Sequence, residues 1–207
     1  MAPERTGPIA GIVLAAGASA RMGSNKLLLE LGGERVIRRA VGRTVEAGLD
    51  PTLVVLGHDA GLVRAELTGL PCRPVLNPDW AQGMGASLSA GIAAVPPAAI
   101  AAVVVLADMP LVTTAMIAEL VRRYRGGTAA LVASEYGGVH APPTLYDRAL
   151  LPELAAAAGH GCGKHVLARH RAEAVVVPWP EGALTDLDLP ADYQRIQSAL
   201  RSEQDGR

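Results

Sequence analysis

Ile12-Val13-Leu14-Ala15-Ala16-Gly17-Ala18-Ser19-Ala20-Arg21-Met22-Gly23-Ser24-Asn25-Lys26 is the stretch that decides how this chain is read. An apolar run with the character of a buried strand ends in a turn of small residues, and two cations follow close behind. Ala15, Ala16, Gly17, Ala18 and Ser19 carry so little bulk that a ligand can lie directly against backbone N–H groups. Arg21 offers a planar fork and Lys26 a compact point charge, the two ways a side chain holds anionic oxygens. The physical reading is a phosphate-holding loop at the carboxyl end of the first strand of an α/β sheet. Spacing excludes two other phosphate loops. Five residues separate Gly17 from Gly23 and Ser24 follows Gly23, whereas a Walker A loop needs four and then Gly-Lys-Ser/Thr. A Gly-x-Gly-x-x-Gly dinucleotide fingerprint is absent as well.

The rest of the composition fits one domain. A length of 207 residues suits a single α/β domain, with a core over about residues 9–200 and flexible termini, the polar tail at 201–207 among them. Half of the residues are hydrophobic, only 3% are aromatic and none is Phe. Such a core must be built from Ala, Val, Leu and Ile, which suits strands buried on both faces under close-packed helices. A net charge of −1 leaves no basic footprint for nucleic acid. No apolar run reaches the ~20 residues of a membrane helix, and the short polar start lacks the apolar segment of a secretory signal. Two cysteines, Cys72 and Cys162, are too few for a disulfide framework. The expectation is a protein of the reducing cytoplasm without nucleic-acid or membrane partners.

Continuous apolar runs alternate with helical patterns along the chain. Strands are predicted at 9–15, 51–57, 73–76, 101–107, 128–133 and 172–177, and helices at 34–47, 60–67, 85–94 and 113–124. That alternation predicts a three-layer α/β fold, a mostly parallel twisted sheet with helices on both faces. Leu56-Gly57-His58 then marks a strand end at a ligand edge, where Gly57 permits close approach of a base or ribose and His58 starts a helix in solvent. Asn77-Pro78-Asp79-Trp80-Ala81-Gln82-Gly83-Met84-Gly85-Ala86-Ser87-Leu88 is a second glycine-rich entry to a helix, with N–H groups to offer. Ser87 and Ser89 lack the Gly-x-Ser-x-Gly context of a serine hydrolase. Asp108 ends the most apolar strand and should face the Arg21/Lys26 loop. It is a hard oxygen donor of the kind a phosphate-bound Mg²⁺ takes. A second carboxylate is expected from Thr185-Asp186-Leu187-Asp188-Leu189-Pro190-Ala191-Asp192-Tyr193. An extended segment points Asp186 and Asp188 the same way; Asp188 is preferred and Asp186 is the alternative, with Asp192 in the first turn of a following helix.

These motifs carry a family resemblance. Leu14 to Lys26 fills every position of Leu-Ala-(Ala/Gly)-Gly-x-Ser-x-Arg-Met-Gly-x-x-Lys, the signature of the MobA-like nucleotidyltransferases that include the molybdenum-cofactor guanylyl- and cytidylyltransferases. Asn77 to Leu88 resembles their Asn-Pro-x-Trp-x-x-Gly-Met-x-x-Ser-Leu loop, with Gly85-Ala86 in place of the frequent Ser-Ser. Asp108-Met109-Pro110-Leu111-Val112 matches the family's metal-holding motif, and the segment around Asp186 and Asp188 resembles Asp-Ile-Asp-Thr-Pro-Glu-Asp-Tyr. The resemblance implies a Rossmann-like nucleotidyltransferase fold in which Arg21, Lys26 and Asp108 are catalytic and Asp108 with Asp188 holds Mg²⁺. It further implies nucleotide contacts from Leu14, Ala15, Ala16, Gly17, Ser19, Arg21, Lys26, Gly57, Asn77, Gly83, Met84 and Ser87.

On the acceptor side, 136–146 resembles Gly-x-x-Gly-x-Pro-Val-Leu-Phe and 159–167 resembles Gly-Asp-x-Gly-Ala-Arg-x-Leu-Leu. His140 and Lys164 are the acceptor-binding candidates there, and Ala141, His160 and Cys162 depart from the family pattern. His165 and His170 are five residues apart and so do not share a helix face, which argues against a transition-metal site. The implied reaction transfers CMP from CTP to the phosphate of molybdenum-bound molybdopterin and releases pyrophosphate. CTP rather than GTP is implied by Ala16, because the cytidylyltransferases of the family tend to carry Leu-Ala-Ala-Gly and the guanylyltransferases Leu-Ala-Gly-Gly, and a Cβ there would narrow the base pocket. A molybdenum hydroxylase apo-enzyme is the expected protein partner. The rival readings are the same fold with GTP or another phosphorylated acceptor, a non-catalytic cofactor carrier, and a relative of nicotine blue oxidoreductase.

Overall fold

The computed structural model describes residues 4–156 and 163–205. Its strands are β1 (Ile9–Ala15), β2 (Glu30–Leu31), β3 (Glu34–Arg35), β4 (Thr52–Leu56), β5 (Arg73–Leu76), β6 (Ala101–Leu106), β7 (Leu131–Tyr136), β8 (Val139–Asp147) and β9 (Val175–Trp179). Its helices are α1 (Val36–Glu46), α2 (Ala60–Glu66), α3 (Met84–Ala93), α4 (Thr114–Arg125), α5 (Leu151–Ala156), α6 (Lys164–Arg169) and α7 (Pro190–Asp205). Seven strands form one sheet in the order β5-β4-β1-β6-β8-β7-β9, and β2 and β3 make a separate small hairpin. β1, β4, β5 and β6 are mutually parallel. β8 runs antiparallel to β6 and β7, and β9 returns parallel to β7.

Central strands that are apolar on both faces require a helix layer on each side. On one face α1 and α4 cover Val13, Val54, Val103 and Val105, and Ile196 and Leu200 of α7 join the same core. On the other, α3, α5 and α6 cover Ile12, Leu53, Val55 and Val104 through Leu88, Leu154 and Val166. α1 follows the helical period, with Val36, Ile37, Ala40, Val41 and Thr44 buried. α4 begins where the Thr113 hydroxyl accepts from the Met116 N–H at 3.2 Å. A core almost free of aromatics closes up by glycine. A Cβ on Gly11 would lie 2.6 Å from Thr44 Cγ2 in α1, and one on Gly91 in α3 would lie 2.5 Å from Ile12 Cγ2.

Two differences from the expected string have physical causes. β8 went unpredicted because His140-Ala141-Pro142-Pro143-Thr144 has neither alternation nor a continuous apolar run, and Pro argues against a central strand. The strands expected at 128–133 and 172–177 lie three residues later at their starts, since Gly-rich and polar residues precede the first inward Leu131 and Val175. The last helix continues through Asp205, into the tail expected to be flexible. Among the described residues, no helix is long and apolar enough to cross a membrane.

The glycine contacts make a paired prediction. Gly91→Val forces a branched side chain into Ile12 and Val55 and should cost about 1–3 kcal/mol in urea unfolding. Gly61→Ala in α2 meets nothing within 4 Å and should stabilise by up to about 1 kcal/mol. An unchanged midpoint for Gly91→Val would contradict the close α3–β1 packing.

Candidate active site

All parallel strands end at one edge of the sheet, and the loops that leave β1 and β6 meet there. Residues 16–26 wrap this edge, and the first five of them, Ala16 to Ala20, carry little bulk. Ser19 adopts the left-handed conformation, φ +51°, and its hydroxyl accepts from the Lys26 N–H at 3.2 Å. Asn25 caps the short 3-10 turn Lys26–Leu28 by accepting from Leu27 N–H at 3.1 Å. These bonds fix where the Lys26 side chain starts.

Its end is fixed by two carboxylates. Lys26 Nζ donates to Asp108 Oδ2 at 2.5 Å and to Asp188 Oδ1 at 2.8 Å. Arg21 donates to the other oxygen of Asp188 at 2.7 Å from a mostly exposed position. Asp108 sits in the turn after β6. Asp188 comes from the segment before α7, which is docked by a backbone bond from Leu187 N–H to Asp108 C=O at 2.9 Å. Leu187 itself is fully buried. The carboxylate of Asp192, in the first turn of α7, accepts from the N–H groups of Asp188 and Leu189 at 3.1 and 2.7 Å. Asp192 is thus in the first helical turn as expected, and its buried carboxylate also holds the backbone of Asp188.

Charge in this cluster is unevenly distributed. Burial disfavours the Lys26 ammonium, but Asp108 and Asp188 outweigh burial and hold its pKa above the ordinary value. The bond from Lys26 keeps Asp188 below the usual carboxylate range. Asp186, which also lines the cleft, is pushed up to about 6 by burial, with the Asp108 and Asp188 charges adding repulsion. Of the late pair, Asp188 is thus the better ionised donor.

The cleft beside this cluster encloses about 490 Å³. Leu14, Ala16, Gly17, Ser19, Arg21, Lys26, Gly83, Met84, Ser87, Asp108, Asp186 and Asp188 all line it. Trp80 does too, a residue within the quoted loop that the sequence reading left unassigned. Five predicted residues are placed otherwise. Ala15 is buried in β1. Gly57 makes room for protein rather than ligand, since a Cβ there would lie 2.4 Å from Trp80 Cβ and 2.8 Å from Ala16 Cβ. Asn77 is buried and braces its own loop, donating to Ser87 Oγ at 3.1 Å and accepting from Asp79 N–H at 3.0 Å. His140 stands on β8 beyond the Gly137-Gly138 turn, 3.8 Å from Glu135. Lys164 is exposed at the start of α6, in the α3–α5–α6 layer. His160 and Cys162 lie outside the described residues.

The MobA-like NTP transferase domain matches residues 11–175. This chain belongs to that family. It is 30% identical over 179 residues to nicotine blue oxidoreductase of Paenarthrobacter nicotinovorans, spanning 83% of each chain. To the purine catabolism protein PucB of Bacillus subtilis (strain 168) it is 28% identical over 202 residues, 92% of this chain and 96% of that one. Rv0371c from Mycobacterium tuberculosis H37Rv superposes with a TM-score of 0.81 at 26% identity, over 96% of this chain and 100% of the other. Its complex with manganese gives 0.76 at 25%, over 93% and 99%. The sheet with its two helix layers is thus the Rossmann-like nucleotidyltransferase fold, and the MobA-like chain is a nucleotidyltransferase.

The donor set of this MobA-like site suits a hard divalent ion. Among the described residues no group of three or more His, Cys, Asp or Glu side chains is gathered to enclose a metal. Mg²⁺ needs no such cage, because it takes one or two carboxylates and completes its shell with water and substrate phosphate oxygens. Asp108 and Asp188 are the two carboxylates here that could supply such a pair. Oxygens that already share one ammonium at 2.5 and 2.8 Å are close enough to share one cation.

A metal held there would compete with the ammonium for the same oxygens. Lys26→Met should bind Mn²⁺ about tenfold more tightly than the unmodified chain when no nucleotide is present, as read from the free Mn²⁺ signal in electron paramagnetic resonance. Unchanged or weaker binding would show that these carboxylates are not the metal's ligands.

Proposed function

We propose that this chain transfers CMP from CTP to the phosphate of molybdenum-bound molybdopterin, with Mg²⁺, and releases pyrophosphate. The observation that carries the reading is the convergence of Lys26, Asp108 and Asp188 beside a bare backbone loop, in a MobA-like nucleotidyltransferase. A triphosphate laid against 16–20 would meet N–H groups without side-chain obstruction. Arg21, at the open side, would take phosphate oxygens with its fork, and Lys26 would stabilise the charge that grows on the departing pyrophosphate. Mg²⁺ on Asp108 and Asp188 would supply Lewis-acid neutralisation of the phosphate oxygens. An acceptor that is already a phosphate dianion needs no general base, and positioning carries the rest of the barrier. The base would lie on the side of Ala16 and Trp80. Ala16 and Trp80 both line the cleft, and a Cβ at position 16 is what supports a pyrimidine over a purine. His140 and Lys164 are the proposed contacts to the acceptor, and an apo molybdenum hydroxylase the proposed recipient of the product.

The 30% identity to nicotine blue oxidoreductase over most of both chains supports a second reading, an oxidoreductase on the same fold. A flavin carried by the purified protein would mark it.

Pyrophosphate release with Mg²⁺ and molybdenum-loaded molybdopterin, compared across CTP, GTP and ATP, tests the proposal. Release with CTP is expected, reduced at least about 100-fold by Asp108→Ala. Release with GTP instead would overturn the base assignment alone, and none with any nucleotide would overturn the transferase reaction with this acceptor.

A further inference from the structure

Asp59, close behind the cleft, has an unusual backbone. It and Ser19 are the two non-glycine residues found in the left-handed region among those described, Asp59 at φ +52°. Asp59 also precedes α2 in the position where an Asp normally accepts a hydrogen bond from the helix's own first N–H groups. Its carboxylate makes no such bond, although its carbonyl accepts from Leu62 and Val63 at 2.9 and 3.0 Å. The left-handed backbone turns the side chain toward the cleft loops instead. Asp59 Oδ2 accepts from Asn25 Nδ2 at 3.2 Å and lies 3.1 Å from His58 Nδ1. The His58 ring meets Trp80 edge-on, with centroids 5.1 Å apart and planes at 77°. His58 N–H in turn donates to Ala16 C=O at 3.1 Å.

Asp59 itself does not line the cleft, but its two contacts lie behind the two walls. Through Asn25 it reaches the turn that launches Lys26; through His58 it reaches the Trp80 wall that stands against Gly57 and Ala16. A backbone outlier that forgoes its local cap for contacts behind both walls of a binding cleft points to function rather than to folding.

We infer that Asp59 is a positioning residue for the nucleotide, a clamp that sets the spacing between the phosphate loop and the base wall. The inference rests on the nucleotide reading of the cleft. Asp59 touches no cleft-lining carboxylate or cation in the structure and acts through Asn25 and His58.

Glycine accepts φ +52° without the Cβ conflict but has no carboxylate, so Asp59→Gly separates a structural role from a positioning one. Its thermal midpoint should be unchanged or raised, while its Kd for Mg²⁺-CTP, by isothermal titration calorimetry, should rise about three- to tenfold. Asp59→Asn tolerates the left-handed backbone and keeps an acceptor for Asn25, so it should recover most of that affinity. Asn25→Ala should weaken binding too, and adding Asp59→Gly to it should cost less than the sum of the two single losses, because both variants remove the Asn25–Asp59 bond. Unchanged affinity in Asp59→Gly, a lowered midpoint there, or additive losses in the double variant would each overturn the clamp. If the unmodified chain bound neither Mg²⁺-CTP nor Mg²⁺-GTP, the nucleotide reading itself would fall.

Discussion

One ammonium shared by two carboxylates, Lys26 between Asp108 and Asp188, is the constraint around which the molecule is arranged. The three groups come from the turn after β1, the turn after β6 and the segment before α7, so no local propensity brings them together. Neighbouring β1 and β6, paired from Ile9↔Ala101 to Leu14↔Leu106, deliver the first two to the same edge. The third is delivered by burial of Leu187 and its bond to the Asp108 carbonyl. Two anions in a half-buried cleft would repel and lose hydration without a counter-charge, and Lys26 supplies it. The Lys26 ammonium balances both carboxylates without any metal, and under the proposed function a metal would take its place on them.

The same arrangement explains which parts of the chain were legible beforehand. Strands β1, β4 and β6 and helices α1 to α4 announce themselves because parallel strands buried on both faces are continuous apolar runs, and the helices between them keep a regular period. The two loops with chemistry were equally plain, since Gly, Ala and Ser beside Arg21 and Lys26 serve no packing purpose. Asp108 could be placed from its strand alone. For Asp186 and Asp188 the chain shows two carboxylates on one side of an extended segment, and only their surroundings tell them apart: Lys26 and Arg21 reach Asp188, while burial acts on Asp186.

What the chain did not disclose depends on contacts distant in sequence. β8 is a strand through its neighbours β6 and β7, against its own prolines. Gly57 was recognisable as special but not for its reason, because Trp80, which it accommodates, lies on another loop, and Asn77 braces its own loop through Ser87. Asp59 gave no signal, since a left-handed Asp looks in sequence like an ordinary helix cap.

The most direct test of the central claim is a crystal structure with Mn²⁺ and a non-hydrolysable CTP analogue, with the metal located by anomalous scattering. The account predicts Mn²⁺ bound by Asp108 and Asp188, with Lys26 released from both carboxylates onto the phosphates. Metal bound elsewhere, or Lys26 still bridging Asp108 and Asp188 beside a bound nucleotide, would contradict it.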